Sequence, residues 1–230
     1  MCNIYITFVP MEKMKTLGDG TPISYTINVR GQLIDLGEPL VMGIMNVTPD
    51  SFYANSRVQT AETIRQRAHQ IVAEGAKIID IGACSTRPGG VVVSAEEEMQ
   101  RLAFALPIVK EAEPDAILSI DTFHADIARR TIEEFGADII NDVEEGKDPE
   151  MFRTVAELGA PYILMSTAAN LHDMLIEFSR EVQELRDLGQ KDIILDPGFG
   201  FGKDPVAGNY ELLSVMERLQ VMELPILVGI

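Results

Sequence analysis

From Leu40 onward the chain alternates short apolar runs with longer amphipathic stretches. The apolar runs cover residues 41–45, 77–81, 116–120, 138–140, 162–165, 192–195 and 226–230. Each is as long as a strand buried on both faces, and most are rich in Ile, Leu or Val. Parallel strands covered by helices read this way. The stretches between them, 60–74, 95–111, 124–135, 149–158, 171–188 and 209–222, are predicted helices. The runs end about every 31 residues, which fits one βα unit of roughly 30. Ahead of them, residues 25–29 and 32–36 flank Arg30-Gly31, the pattern of a β-hairpin. Six βα units and a seventh strand predict an α/β protein: a TIM-type (β/α)8 barrel with the N-terminal β-hairpin at its base. A doubly wound open sheet is the alternative. The chain stops within Leu227-Val228-Gly229-Ile230, so the barrel is expected to lack its last βα unit. The strands at 41–45 and 226–230 would then be unpaired edges, open to association with other chains. Residues 1–24 read as a loosely ordered arm, with Met11 an alternative start, and 25–230 as the barrel domain.

Charge narrows the function classes. The balance is 19 basic against 36 acidic residues, a net −17. That argues against nucleic-acid binding and against a polybasic membrane contact. No apolar run approaches the roughly 18 residues of a transmembrane helix, and the first residues lack the basic region and cleavage site of a signal peptide. Cys2 and Cys84 are the two cysteines, which excludes a disulfide scaffold and suits the cytoplasm. Cys84 reads as a small packing residue. His69, His124 and His172 fall in helical stretches without metal-ligand spacing and read as surface residues.

Barrels of this kind carry their chemistry at the C-terminal strand ends. Here the apolar runs end in Asn46, Asp121-Thr122, Asn141-Asp142, Ser166-Thr167 and Asp196. Any one of these reads as a helix cap or turn residue. Five converging on one mouth read as a ligand site. Asp121, Asn141 and Asp196 suit the edge of an aminopyrimidinone, since Asp accepts from ring N–H and amino groups and Asn both donates and accepts. Ser85-Thr86-Arg87-Pro88-Gly89-Gly90 offers hydroxyls, a forked cation and close backbone approach for an anion such as phosphate; the alternative is a stiff surface turn. Asp196-Pro197-Gly198-Phe199-Gly200-Phe201-Gly202-Lys203 lacks the Walker spacing. Its alternating Gly and Phe suggest an aromatic ring laid on a flat ligand, or else a flexible loop with Phe201 in the core.

Several of these segments resemble a known family, dihydropteroate synthase. Gly43-Ile44-Met45-Asn46-Val47-Thr48-Pro49-Asp50-Ser51-Phe52 is similar to its first signature. Ile79-Asp80-Ile81-Gly82, followed by Ser85-Thr86-Arg87-Pro88-Gly89, is similar to the second. Ser119-Ile120-Asp121-Thr122, Ile140-Asn141-Asp142-Val143 and Leu195-Asp196-Pro197-Gly198 to Gly202-Lys203 follow in the family's order. The resemblance implies a transferase of folate biosynthesis. It would condense 6-hydroxymethyl-7,8-dihydropterin diphosphate with p-aminobenzoate, giving 7,8-dihydropteroate and diphosphate with the help of Mg2+. Sulfonamides would mimic the aminobenzoate. By resemblance, Asp121, Asn141 and Asp196 hold the pterin, and Val143, Met165 and Phe201 line its faces. Asn46 contacts the metal and the diphosphate. Thr86 and Arg87 sit by the diphosphate, and Phe52, Thr86 and Pro88 form the aminobenzoate pocket. The full-length protein is expected to be a homodimer.

The sequence also departs from the family pattern. Tyr53-Ala54-Asn55-Ser56 stands where Ser-Asp-Gly-Gly is common, Ala83-Cys84 where Gly-Glu is common, and Ser166 where a His is usual. The family's Ser-Arg-Lys and Arg-x-His motifs would lie beyond Ile230, so residues 1–230 alone are expected to be inactive and to aggregate. Two alternatives remain at this point: a non-catalytic pterin-binding paralogue, and the pterin-binding domain of a corrinoid-dependent methyltransferase.

Overall fold

A computed structural model of the chain describes residues 3–6, 25–47, 57–84, 93–201, 203–204 and 207–229. The strands are β1 (Asn3–Ile6), β2 (Thr26–Val29), β3 (Gln32–Asp35), β4 (Leu40–Asn46), β5 (Ile78–Gly82), β6 (Ile117–Asp121), β7 (Ile139–Asp142), β8 (Tyr162–Met165), β9 (Ile193–Asp196) and β10 (Val228–Gly229). Between them lie helices α1 (Arg57–Ala73), α2 (Ala95–Ala112), α3 (Ala125–Phe135), α4 (Met151–Leu158), α5 (Leu171–Asp187) and α6 (Ala207–Val215), the last continuing as a 3-10 helix, Met216–Met222. β4 to β9 pair in parallel and in sequence order. A doubly wound sheet would reverse its strand order at a switch point, and this run contains no reversal.

Side chains alternate across each strand, so each strand serves two cores. One face carries Met45, Ile79, Ile81, Leu118, Ile120, Ile140, Leu164 and Leu195, packed against the helices. The other face starts with a layer of Met42, Ile78, Ile117, Ile139, Ile163, Ile194 and Leu227. Ile27, Val29 and Leu36 join this second cluster from the β2–β3 hairpin and its exit, so the hairpin forms the floor under that face.

One residue orients the floor. Arg30 takes the left-handed conformation (φ 53°) beside Gly31 (φ 78°), closing the two-residue hairpin turn. For a non-glycine residue that conformation costs roughly 1–2 kcal/mol. Four hydrogen bonds offset it. Arg30 Nε and Nη2 reach the two Asp138 oxygens (2.8 and 2.7 Å), while Nη2 and Nη1 reach the carbonyls of Ala116 (2.9 Å) and Pro114 (3.2 Å). Asp138 also accepts from Leu118 N–H at 2.9 Å. The hairpin is thereby fastened to the starts of β6 and β7.

The ends of the sheet differ from the sequence expectation. The 41–45 and 226–230 strands do not stand as free edges. β1 lies between them, antiparallel to both, with Asn3 to Ile6 opposite Gly43 to Leu40, and Ile4 and Tyr5 opposite Gly229 and Val228. Ile226 in turn bridges Leu195 of β9 in parallel, and Leu227 N–H donates to the Leu195 carbonyl at 2.7 Å. The two ends of the eight-stranded sheet therefore meet. Ile4-Tyr5-Ile6 has strong strand propensity, and the rows of unpaired N–H and C=O groups on β4 and β10 give it partners. Residues 7–24 of the expected arm lie outside the described residues.

Candidate active site

Counting by twos from the floor layer leads to the site. Ile78 is followed by Asp80 and Gly82, Ile117 by Ser119 and Asp121, Ile139 by Asn141, Ile163 by Met165, Ile194 by Asp196, and Met42 by Ile44 and Asn46. The register sets Asp80 beside Ser119, Asp121 beside Asn141, Met165 beside Asp196, and Gly82 between Asn46 and Asp121. A second layer of the same face is thus polar where the first is aliphatic.

Its hydrogen bonds are incomplete. Ser119 Oγ donates to Asp80 Oδ1 at 2.7 Å, and Asn141 Nδ2 donates to Asp80 Oδ2 at 3.1 Å. That fixes the Asn141 amide with Oδ1 turned elsewhere. Asn141 Oδ1 and Asp121 Oδ1 are both enclosed and have no partner among the described residues. Gly82 keeps a gap open beside them: a Cβ there would lie 3.1 Å from Asp121 Oδ2 and 3.4 Å from Asn46 Oδ1. Enclosed polar groups without partners cost about 1–3 kcal/mol each, so this layer is suited to a polar ligand.

The charges agree. Burial raises the Asp80 pKa, against the hydrogen bonds from Ser119 and Asn141. Asp121 is held well above the usual carboxylate range, first by lost hydration, then by Asp80, Glu98 and Asp142. Burial pushes Asp196 up to about 7, against the Gly198 N–H it accepts at 2.7 Å and the nearby Lys203. Asp80 also raises Asp196, which links the two sides of the mouth. Lys203 is buried, and its ammonium donates to the carbonyls of Gly198 (3.0 Å), Phe201 (3.2 Å) and Ser166 (3.3 Å), which ties the loop after β9 to the end of β8. At Gly198 (φ 65°) a Cβ would lie 2.4 Å from the Ser166 carbonyl, so only glycine lets the loop lie this close.

A family profile described as "Pterin binding enzyme" matches residues 42–230. The chain belongs to the pterin-binding enzyme family. It is 39% identical over 209 residues to a dihydropteroate synthase of Streptococcus pyogenes, covering 87% of this chain and 77% of that protein. Among solved structures, Xanthomonas albilineans dihydropteroate synthase with 4-aminobenzoic acid superposes with a TM-score of 0.76 at 33% identity, over 89% of this chain and 77% of that one. The Anaplasma phagocytophilum enzyme with bound 6-hydroxymethylpterin-monophosphate gives 0.73 at 30% identity, over 80% and 76%.

Of the residues expected to serve a pterin-binding enzyme, Asp121, Asn141, Met165 and Asp196 share the inner face, and Asn46 ends β4 beside Gly82. Val143 is half-buried in the turn after β7. Phe201 is half-exposed, and it is Phe199 that packs against the helix-side core. Phe52, Thr86, Arg87 and Pro88 lie outside the described residues. Asp142 turns away from the mouth: it accepts from Tyr162 O–H (2.7 Å) and from the N–H groups of Glu144 (2.8 Å) and Gly146 (2.9 Å), a structural role. His124 is not a plain surface residue; it sits half-buried with Nδ1 at 3.1 Å from Glu98 Oε2. Cys84 is buried and burial raises its thiol pKa, as a packing residue requires. Sequence reasoning placed Asp80 and Lys203 within motifs but gave neither a role. Their signals were a lone carboxylate inside Ile79-Asp80-Ile81 and the cation closing the glycine loop.

Proposed function

We propose that this protein is a dihydropteroate synthase, a transferase of folate biosynthesis that joins 6-hydroxymethyl-7,8-dihydropterin diphosphate to p-aminobenzoate and releases diphosphate. The observation that carries the site assignment is the pair of enclosed, unpartnered acceptors, Asn141 Oδ1 and Asp121 Oδ1, in one layer with Asp196. A pterin edge presents ring N–H and amino donors to such a layer. Asp196 accepts from that edge, Asn141 accepts through the oxygen that Asp80 leaves free, and Met165 and Phe201 cover the ring faces. Met165 suits this role because its thioether already lies along the β8 end, near Gly198. The curled sheet, floored at one end and polar at the other, supports a TIM-type barrel as the architecture that holds the site.

Among the described residues no group of three or more His, Cys, Asp or Glu side chains is placed to hold a metal. Mg2+ asks for less: one or two hard protein oxygens, with substrate phosphates and water completing the shell. The Asn46 amide oxygen, facing the gap beside Gly82, fits that demand. When bound, Mg2+ would neutralise the diphosphate as it leaves. Thr86 and Arg87 hold the diphosphate, the guanidinium by paired charge-assisted hydrogen bonds. Phe52, Thr86 and Pro88 place the arylamine. The pterin ring feeds electrons toward the methylene carbon as the C–O bond to diphosphate breaks; the arylamine nitrogen then attacks that carbon, and its proton passes to solvent. Positioning and charge neutralisation supply most of the rate. This reading keeps the protein in the cytoplasm and leaves a homodimer as the expected assembly; no helix of the described residues is long and apolar enough to cross a membrane.

The test is diphosphate release from the pterin diphosphate with and without p-aminobenzoate. Release that requires both substrates and yields dihydropteroate is expected. Pterin binding without release would mark a non-catalytic binder instead.

A further inference from the structure

Glu98 is a fully buried ionisable group that the proposed reaction leaves without a role. It sits in the first turn of α2, whose start is fixed by Ser94 Oγ accepting from Glu97 N–H (3.2 Å). An acidic residue there is favoured by the helix dipole, but Glu96 and Glu97 satisfy that preference at the surface, while Glu98 points into the protein. Its side chain is fully enclosed. Oε2 lies 3.1 Å from His124 Nδ1, the Thr122 hydroxyl hydrogen-bonds the same carboxylate, and Oε1 has no partner among the described residues. Thr122 Oγ1 also accepts from His124 N–H at 3.3 Å, and Thr122 N–H donates to the Asn141 carbonyl at 3.1 Å. The three residues between β6 and α3 are therefore held from one point on α2. The residue that precedes them is Asp121, and the charge of Glu98 is among those that raise it.

We propose that Glu98 is a positioning residue: a buried latch that ties helix α2 to the Thr122–His124 turn and so sets Asp121 for the pterin. The inference rests on the reading of Asp121 as a pterin contact.

A double-mutant cycle on the whole protein tests it, with 6-hydroxymethylpterin monophosphate as the calorimetric probe. Asp121→Asn alone must weaken binding; if it does not, the pterin assignment of Asp121 fails. Glu98→Gln keeps size and loses the ionised acceptor. It should weaken binding about tenfold in the otherwise unchanged protein and less than about twofold in the Asp121→Asn background, because its effect passes through Asp121. The KM for p-aminobenzoate should stay within about twofold, which general loosening of the fold would not spare. Equal losses in both backgrounds, or no loss in the first, would overturn the latch while leaving the site reading intact. If Glu98→Gln does not fold, Thr122→Val removes the hydroxyl link at constant shape and carries the same cycle with the same expected results.

Discussion

The floor and the mouth of this sheet are built from the same strands, two to four residues apart, yet follow opposite rules. At the floor, Ile78, Ile117, Ile139, Ile163 and Ile194 meet the hairpin residues Ile27, Val29 and Leu36. The ion pair there, Arg30 with Asp138, spends its oxygens on the guanidinium and a backbone N–H. At the mouth, Asp80, Asp121 and Asp196 crowd together with raised pKa values, and two acceptors have no partner among the described residues. One end is finished without a ligand; the other is not. The contrast sets satisfied, stabilising contacts at the floor against unsatisfied, destabilising polarity at the mouth, the division expected if the mouth holds the proposed site.

The contrast is broken most strongly at the floor. Ile163 is fully buried, so Ile163→Ala should lower the unfolding free energy by about 2–5 kcal/mol. Denaturant titration reads that loss, and pterin affinity should stay within about twofold if the two ends act separately. A next, smaller effect concerns the seam. Proline at Ile4 and, separately, at Tyr5 removes one N–H each from β1, which pairs with both β4 and β10. At least one substitution should cost about 1–3 kcal/mol and produce concentration-dependent association on sizing columns, because both neighbouring edges open. If neither changes stability or association, β1 does not close the sheet.

The third prediction sharpens the mouth. An unfolded Asp loses its proton near about 3.9, whereas Asp196 in the fold keeps it to about 7. Between those values the native state binds the extra proton, so this group makes stability fall as pH rises. Asp196→Asn should flatten that fall and raise stability at pH 8 by about 1–3 kcal/mol, while weakening pterin binding. Melts across pH read the first effect and calorimetry the second. A variant that is less stable at pH 8 would show Asp196 to be a structural residue like Asp142.

Much of this was legible in the sequence. The run at 162–165 matches β8 residue for residue, and the other runs lie within a residue or two of β4 to β9, because strands buried on both faces are apolar at most positions. The carboxylate layer was legible as polar strand ends. The alternation that separates Asn141, on the inner face, from Asp142, on the turn, needed the register. β1 was not legible, since its partners lie about 40 and 220 residues away and only backbone pairing joins them. Asp80 stood in a family motif, but its apolar neighbours gave no sign of its role. Glu98 was hidden among three consecutive glutamates, of which burial selects one.

The central claim is that the polar layer reads a pterin. Asn141→Leu is close in shape and removes both the enclosed oxygen and the donor to Asp80. With 6-hydroxymethylpterin monophosphate titrated into wild type and variant by calorimetry, the account predicts clear binding to the first and at least about tenfold weaker binding to the second. The variant should remain folded by circular dichroism. Unchanged affinity in a folded Asn141→Leu protein would contradict the account.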